Sequence, residues 1–322
     1  MYYLIAIVIF VVLIRYIIFL FRKKYIIHKA GIIIITGAST GIGRHAAEHL
    51  AQNYQSYLIL AGVRKESDAK NIKDVGLTNL QPLCIDVTIH ESCVNAINEV
   101  KCLMEKTSLP LIALVNNAGL AEYGPIEYYK MENIRSSFDI NFFGVIDLIQ
   151  LCLPLLRVSK GRIINISSMS AILPRPIYSI YSAAKCALET LSHACRREFA
   201  LFDISVSIIR PAAVKTSMVN KISAAYKEGI PCHLTKSIYD DEFQGLYSKY
   251  YSEQAMVKRN KLLEAEDGPI VTSVAIEDAI VSATPKTLYA VSKANGISAS
   301  LLGWLVWALP DRIKDALIAN AA

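Results

Sequence analysis

The chain has 322 residues, 53% hydrophobic and 19% charged, with a formal net charge of +6. Residues 1–30 hold five Lys/Arg and no acid, so the rest carries only +1, which excludes a basic face for nucleic acid. Seven cysteines, an odd number without paired spacing, fit reduced thiols in a cytosolic domain rather than a disulfide framework.

Residues 2–21 are apolar apart from Arg15 and the hydroxyls of Tyr2, Tyr3 and Tyr16. At helical rise this run reaches about 30 Å, enough to span a bilayer. Arg15 lies toward the carboxyl end, where its stem lets the charge reach the interface. There is no basic stretch before the run and no small-residue cleavage site before Arg22. The run is therefore expected to be an uncleaved anchor, with in-plane or hairpin insertion as the alternative. Arg22, Lys23, Lys24, His28 and Lys29 follow, a basic flank that places the remaining chain in the cytosol. The expected division is an anchor over 1–22, one domain over 23–300 and an apolar tail over 301–322; no Pro/Gly/Ser-rich linker divides the domain.

Apolar, β-branched runs predict strands over 31–36, 57–62, 80–85, 111–115, 161–167, 204–209 and 287–291, with helical stretches between them. Such alternation predicts a doubly wound α/β fold, a seven-stranded parallel sheet with helices on both faces, behind one N-terminal transmembrane helix. The first strand runs into Thr36-Gly37-Ala38-Ser39-Thr40-Gly41-Ile42-Gly43 and then a helix. Gly37 permits a tight turn, Gly41 a close backbone approach to a pyrophosphate, and Gly43 close packing of the helix, whose N-terminus attracts phosphate. His45 and His49 with Glu48 match a zinc-hydrolase spacing on one helix face, but the helix follows a phosphate loop and no distal carboxylate motif is evident, so no metal is expected.

After the second strand no acidic residue is present to bind the adenosine ribose hydroxyls, and Arg64 instead offers a planar guanidinium for a 2′-phosphate, with hydroxyls at Ser39 and Thr40. NADP(H) is expected over NAD(H). Tyr181 and Lys185, four apart, share a helix face, and Ser168 stands thirteen residues before Tyr181. An ammonium there lowers the phenol's pKa, and the serine hydroxyl can hold the same substrate oxygen. Tyr178 has Asn165 thirteen residues before it and reads as packing at the helix start.

In these motifs the chain resembles the short-chain dehydrogenase/reductase family. Asp86-Val87, Asn116-Asn117-Ala118-Gly119, Asn141, Ser168, Tyr181, Lys185 and Pro211 follow the glycine turn in that family's order. The resemblance implies that Tyr181 is the general acid in carbonyl reduction and the general base in reverse. Lys185 would lower its pKa and bind the nicotinamide ribose, Ser168 would hold the carbonyl oxygen, and Asn141 would hold a water of a proton relay. Gly37, Ser39, Thr40, Gly41, Ile42, Gly43, Arg64, Asp86, Val87, Asn117, Val214 and Thr216 would line the cofactor, the last two at its carboxamide. Ala212 stands where the family usually has glycine.

The stretch from 216 to about 276 is expected to be a substrate loop and lid. Met218, Tyr226, Tyr239, Phe243, Tyr247, Tyr250, Tyr251 and Met256 give it an apolar, aromatic character that suits a lipophilic substrate. The tail over 301–310, with Trp304 and Trp307, is too short to span a membrane and is expected to pack on the core, line the pocket or dip into the interface. Cys84, Cys152 and Cys186 fall among apolar residues and are expected in the core. The function expected is a membrane-anchored, NADP(H)-dependent interconversion of a lipophilic ketone or aldehyde with its alcohol, such as a steroid or retinoid. An endoplasmic-reticulum-type membrane is expected in a eukaryote, and the family makes a homo-oligomer possible. The alternatives are an NAD-dependent dehydrogenase of a small hydroxy acid or retinol, and a non-catalytic dinucleotide sensor, although the latter typically lacks the Tyr or Lys.

Overall fold

Ile32 and Ile34 face one side of a central sheet and Ile33 and Ile35 the other, and all four are fully buried. A strand whose side chains alternate faces can be apolar throughout only if both faces are covered, which is the condition of a parallel sheet. The structure, a computed structural model, describes residues 23–216, 233–237, 240–252, 267–294 and 296–321, with residues 9, 10, 12–14, 17, 254 and 257.

In chain order the elements are β1 (Gly31–Ile35), α1 (Gly41–Asn53), β2 (Tyr57–Val63), α2 (Glu66–Lys73), β3 (Leu80–Cys84), α3 (His90–Thr107), β4 (Leu111–Asn116), α4 (Met131–Phe138), a π-helical turn (Asp139–Phe143) and α5 (Gly144–Ser159). β5 (Arg162–Ile166), α6 (Ser179–Glu198), β6 (Ser205–Pro211), α7 (Asp241–Tyr251), α8 (Ile270–Val281) and β7 (Leu288–Val291) follow. The short ladder β8 (Lys293–Ala294) and β9 (Ile297–Ser298) leads to α9 (Ala299–Ala308) and α10 (Asp311–Ala321). The seven long strands pair in parallel in the order β3-β2-β1-β4-β5-β6-β7. Each lies within a residue or two of its predicted span.

One face of the sheet packs on α3, α5 and α6 through Ile97, Val100, Leu148, Cys152 and Leu188. The other packs on α1 and α8 through Ala46, Ala47, Leu50, Ile276 and Ile280. Each fully buried Ile or Leu contributes about 1.5–3 kcal/mol. Strand order reverses between β1 and β4, so the crossovers leave on opposite faces and open a crevice at the carboxyl ends of these strands.

Residues 23–30 run along the opposite, amino edge of the sheet. There Tyr57 Oη donates to His28 O at 2.7 Å, Arg162 Nη2 to Ile26 O at 2.8 Å, and the Tyr25 N–H to Ala283 O at 2.8 Å. Lys23 Nζ closes the run on Asp203 at 2.8 Å. Of the expected anchor, only residues 9, 10, 12–14 and 17 are described, all helical with exposed apolar side chains; the rest lies outside the described residues. Among the described residues the one helical run long and apolar enough to cross a membrane is Met131–Ser159. It is internal, with Leu148, Cys152 and Leu156 packed into the core of the domain.

Three expectations change. Cys152 is buried, but Cys84 and Cys186 are exposed, whereas Cys93 and Cys195 are buried. β3 is an edge strand on which Cys84 faces outward, and Cys186 lies about 100° around α6 from buried Lys185. α9 is not core: only Ala299 is buried, and Trp307 is 82% exposed. The described aromatic residues of the lid, Phe243, Tyr247, Tyr250 and Tyr251 on α7, pack into a cluster with Tyr123, Tyr128 and Tyr178 instead of lining the crevice. Met218, Tyr226, Tyr239 and Met256 lie outside the described residues.

Candidate active site

Gly37, at φ +63°, turns the chain out of β1 so tightly that a Cβ there would meet Ala118 Cα at 2.7 Å. Gly43 lies one turn into α1, where a Cβ would meet Asn117 Nδ2 at 2.3 Å and Gly37 O at 2.6 Å. At Gly43 the helix thus packs on the loops after β1 and β4, while Ala46, Ala47 and Leu50 further along it meet the sheet. The loop after β4 is stapled in place: Asn117 Nδ2 donates to Thr36 O at 2.8 Å, and the N–H groups of Asn117 and Ala118 both reach Thr36 Oγ1 at 3.0 Å. Thr40 caps α1 without a side-chain hydrogen bond, leaving the first-turn N–H groups at Gly41 and Ile42 on the wall of a cleft of about 670 Å³. Unpartnered helix N–H groups beside a glycine turn fit a pyrophosphate.

Gly37, Ser39, Thr40, Gly41, Ile42, Arg64, Asp86, Val87, Asn117, Ser168, Tyr181, Lys185, Val214 and Thr216 all line this cleft. Gly43 and Asn141 stand directly behind its wall. Ala212 and Ala213 line it too, and neither has a positive φ, so alanine meets no strain where the family usually has glycine. At the far end Arg64 is 63% exposed and among the described residues ion-pairs only with Asp86, at 4.0 Å, while Asp86 Oδ1 accepts from Thr88 N and Oγ1 at 3.0 and 2.7 Å. Lys65, Ser67 and Asp68 also line this end; Ser67 and Asp68 carried no signal because they fall in the first turn of α2, beyond the strand end.

At the other end α6 presents Tyr181 and Lys185 to the cleft. The phenol's pKa is raised, because burial outweighs the hydrogen bond with Ser168 and the charge of Arg175, both of which lower it. Burial lowers Lys185 to about 8 against the opposing charge of Glu189. Lys185 Nζ donates to Ile166 O at 2.9 Å and lies 5.9 Å from the centre of the Tyr181 ring. Ser168 Oγ accepts from the Ser170 N–H at 3.1 Å, which fixes its rotamer.

Asn141 sits in the π-helical turn, a form often found at functional sites. It is fully buried, its Nδ2 donating to Leu120 O at 2.8 Å and Ser137 O at 2.9 Å. A Cβ on Gly119 would lie 3.0 Å from Asn141 Oδ1 and 3.5 Å from Lys185 Nζ, so these two residues flank one stretch of backbone. Tyr178 both packs and lines: its ring stacks on Tyr123 at 4.6 Å, and both face the cleft. Sequence reading missed Tyr123, Ser170 and Arg175, which belong to no spaced motif.

The zinc-like pair on α1 is engaged elsewhere. His45 Nδ1 meets Ser273 Oγ at 2.8 Å and His49 Nε2 meets Glu277 Oε2 at 2.6 Å, pinning α1 to α8. Among the described residues no group of three His, Cys, Asp or Glu is placed to hold a metal.

The family model for short chain dehydrogenase matches residues 31–227. The chain is 31% identical over 280 residues to 17-beta-hydroxysteroid dehydrogenase type 6 of Bos taurus, covering 84% of this chain and 83% of that one. It is 33% identical over 193 residues to NADPH-dependent 3-dehydrocapnine reductase of Ornithobacterium rhinotracheale, covering 58% and 67%. A crystal structure of a short-chain dehydrogenase from Streptomyces avermitilis superposes with a TM-score of 0.67 at 23% identity, over 89% of this chain and 95% of that one, and shares the fold. With the glycine turn, the crevice at the strand reversal and the Ser-Tyr-Lys wall, these matches make the chain a member of the short-chain dehydrogenase family, an oxidoreductase acting between CH–OH and C=O with a dinucleotide cofactor.

Proposed function

We propose that this protein is an NADP(H)-dependent reductase of a lipophilic ketone or aldehyde, working in reverse as an alcohol dehydrogenase. The observation that carries this reading is the convergence of Ser168, Tyr181 and Lys185 on one end of a cleft whose other end is the glycine turn. A nicotinamide bound in this cleft would supply or accept the hydride. Tyr181 gives its proton to the carbonyl oxygen as that oxygen gains charge, and Ser168 Oγ donates a hydrogen bond to the same atom. Lys185 holds positive charge beneath the phenol and has the reach to bind a ribose hydroxyl. The Asn141 carboxamide is committed to backbone partners, so a proton relay through this residue uses its main chain.

Gly37, Gly41, Ile42 and Gly43 form the pyrophosphate cradle, with Asp86, Val87 and Asn117 along the adenosine side and Val214 and Thr216 at the carboxamide. Arg64, with hydroxyls from Ser39 and Thr40, takes the 2′-phosphate. The NADPH-dependent relative supports this preference. Asp68 in the same wall favours a second reading, in which it binds the ribose hydroxyls of NAD.

The steroid-dehydrogenase relative and the apolar cleft residues Leu120, Ala121, Tyr123 and Ile140 support a lipophilic substrate. Residues 1–22 anchor the protein in a membrane with the domain, 23–300, in the cytosol and a separate apolar tail over 301–322. The test is NADPH oxidation by the detergent-solubilised protein against steroid, retinoid, long-chain and small-acid carbonyls, with an NADH series. Turnover confined to small hydrophilic acids would overturn the reading.

A further inference from the structure

The loop between Ser168 and Tyr181 carries a charge that the reduction chemistry leaves unused. Arg175 lines the cleft together with Ser168, Ser170, Tyr178 and Tyr181. Its guanidinium carbon lies 4.5 Å from the centre of the Tyr178 ring. Among the described residues it takes part in no ion pair. An arginine held over an aromatic face by its guanidinium carbon can keep edge N–H groups free in a fork that matches a carboxylate, sulfonate or phosphate.

The backbone holds this arrangement at a cost. Arg175, Pro176, Ile177 and Tyr178 form a turn closed by the Tyr178 N–H on Arg175 O at 3.1 Å. Ile177 has φ +63°, a left-handed conformation that a β-branched residue rarely adopts. It is locked there by the Gly124 N–H donating to its carbonyl at 2.8 Å. A solvated surface arginine needs neither a strained turn nor an aromatic platform, and strain of this kind collects where a side chain must be aimed. The charge also reaches the reacting end of the cleft, where it opposes the effect of burial on Tyr181.

We propose that Arg175 anchors an anionic group of the substrate, carried close to the reacting carbonyl, so that the substrate is an amphiphile with an acidic head and an apolar body. This rests on the reading of the cleft as a carbonyl-reducing site. Leu120, Ala121 and Ile140 supply the apolar wall for the remainder of the molecule.

Two measurements on the full-length protein in detergent test it. Calorimetry with NADPH bound compares decanoate with decanol, neither of which offers a ketone or aldehyde to reduce. Decanoate is expected to bind at least tenfold tighter, with the preference lost in Arg175→Met and partly kept in Arg175→Lys. Decyl sulfonate and decyl phosphate then distinguish which acid the fork takes. Equal affinity for acid and alcohol, or a preference that survives Arg175→Met, overturns the proposal. In the second measurement the ratio of kcat/KM for 3-oxodecanoate to that for its methyl ester is expected to collapse in Arg175→Met. If both substrates fall equally and the pH profile moves, Arg175 acts through Tyr181 instead, and the proposal is overturned. A binding preference without turnover of any carbonyl would sink the reductase reading and leave the anion site standing; turnover of neutral ketones without an acid preference would do the reverse.

Discussion

Glu189 takes both arms of the Arg210 guanidinium, Nε at 2.8 Å and Nη2 at 2.5 Å, one helical turn beyond Lys185. Both side chains are buried, and Ser167 Oγ adds a third hydrogen bond to Glu189 at 2.7 Å. The pair therefore ties α6 to β6 directly below the Ser168 loop. Removing one partner leaves the other charge buried and alone, at a cost of about 3–5 kcal/mol. Glu189→Ala is expected to lose stability of that order in urea unfolding, and Glu189→Leu with Arg210→Met to recover much of it. A loss in Glu189→Ala no larger than that of an ordinary surface substitution would show that the pair is solvated.

Tyr181→Phe removes the proton donor but keeps the ring. Turnover is expected to fall by a factor of about 10²–10⁴, the range for a positioned general acid. NADPH affinity, read by fluorescence quenching, should stay within a few-fold. Substantial residual turnover would mean that the proton comes from another group.

Lys185, lowered to about 8 by burial, gives a signed dependence on pH. Reduction needs Tyr181 protonated beside an ammonium, so its kcat/KM is expected to decline as pH rises past about 8, and Lys185→Met should be slow without that step. For folding, the depressed pKa means that between about 8 and 10.5 the unfolded chain binds the proton and the native state does not. Stability from this group therefore rises with pH across that window. Thermal melts of the cofactor-free wild type should gain on those of Lys185→Met from pH 8 to 10; a gap independent of pH would place the amine in water.

Much of this was legible in the chain because a parallel strand buried on both faces reads as a nearly continuous apolar run. The central strands β1, β2 and β4 stood out in this way, and the glycine turn fixed where the first of them ends. The Ser168, Tyr181 and Lys185 triplet was legible because one helix turn and one strand end set its spacing. Arg175 was not, since its place depends on the left-handed backbone of Ile177, which no propensity predicts. Cys84 misled because an apolar neighbourhood in sequence says nothing about which strand lies at the edge. Of the readings open for the tail, core packing fails for α9, where only Ala299 is buried and Leu301, Trp304 and Trp307 are exposed.

Arg64 and Asp68 make opposite demands on the cofactor, the first welcoming a 2′-phosphate and the second repelling it. The exposed guanidinium, whose one ion pair among the described residues is with Asp86 at 4.0 Å, is the better placed. Arg64→Asp is expected to shift the ratio of NADPH to NADH kcat/KM toward NADH by about tenfold or more, the loss of one charge-assisted contact. Asp68→Asn should move the ratio slightly the other way. An unchanged ratio in Arg64→Asp would assign the discrimination to Lys65 or Asp68.

Membrane attachment through residues 1–22, proposed above, and through the exposed α9 would load different edges of the domain. The chain enters at Lys23 beside Asp203, on the amino edge of the sheet, away from the cleft. Lys23 and Lys160 hold the Asp203 carboxyl at about 2, so this clasp persists above the usual carboxylate range and is lost only as pH falls toward that value. α9 instead lies near the cleft, where a Cβ on Gly303 would come 3.7 Å from Ile172 Cδ1, in the loop after Ser168. A short tether at Lys23 meets the edge opposite the cleft, whereas Trp304 and Trp307 are exposed on the helix that contacts the loop after Ser168. Flotation with liposomes separates the two. Deleting residues 1–22 is expected to release most of the protein while leaving weak binding that Trp304→Ser with Trp307→Ser abolishes. Full retention after the deletion would make the tail the anchor, and complete release would leave α9 without a membrane role.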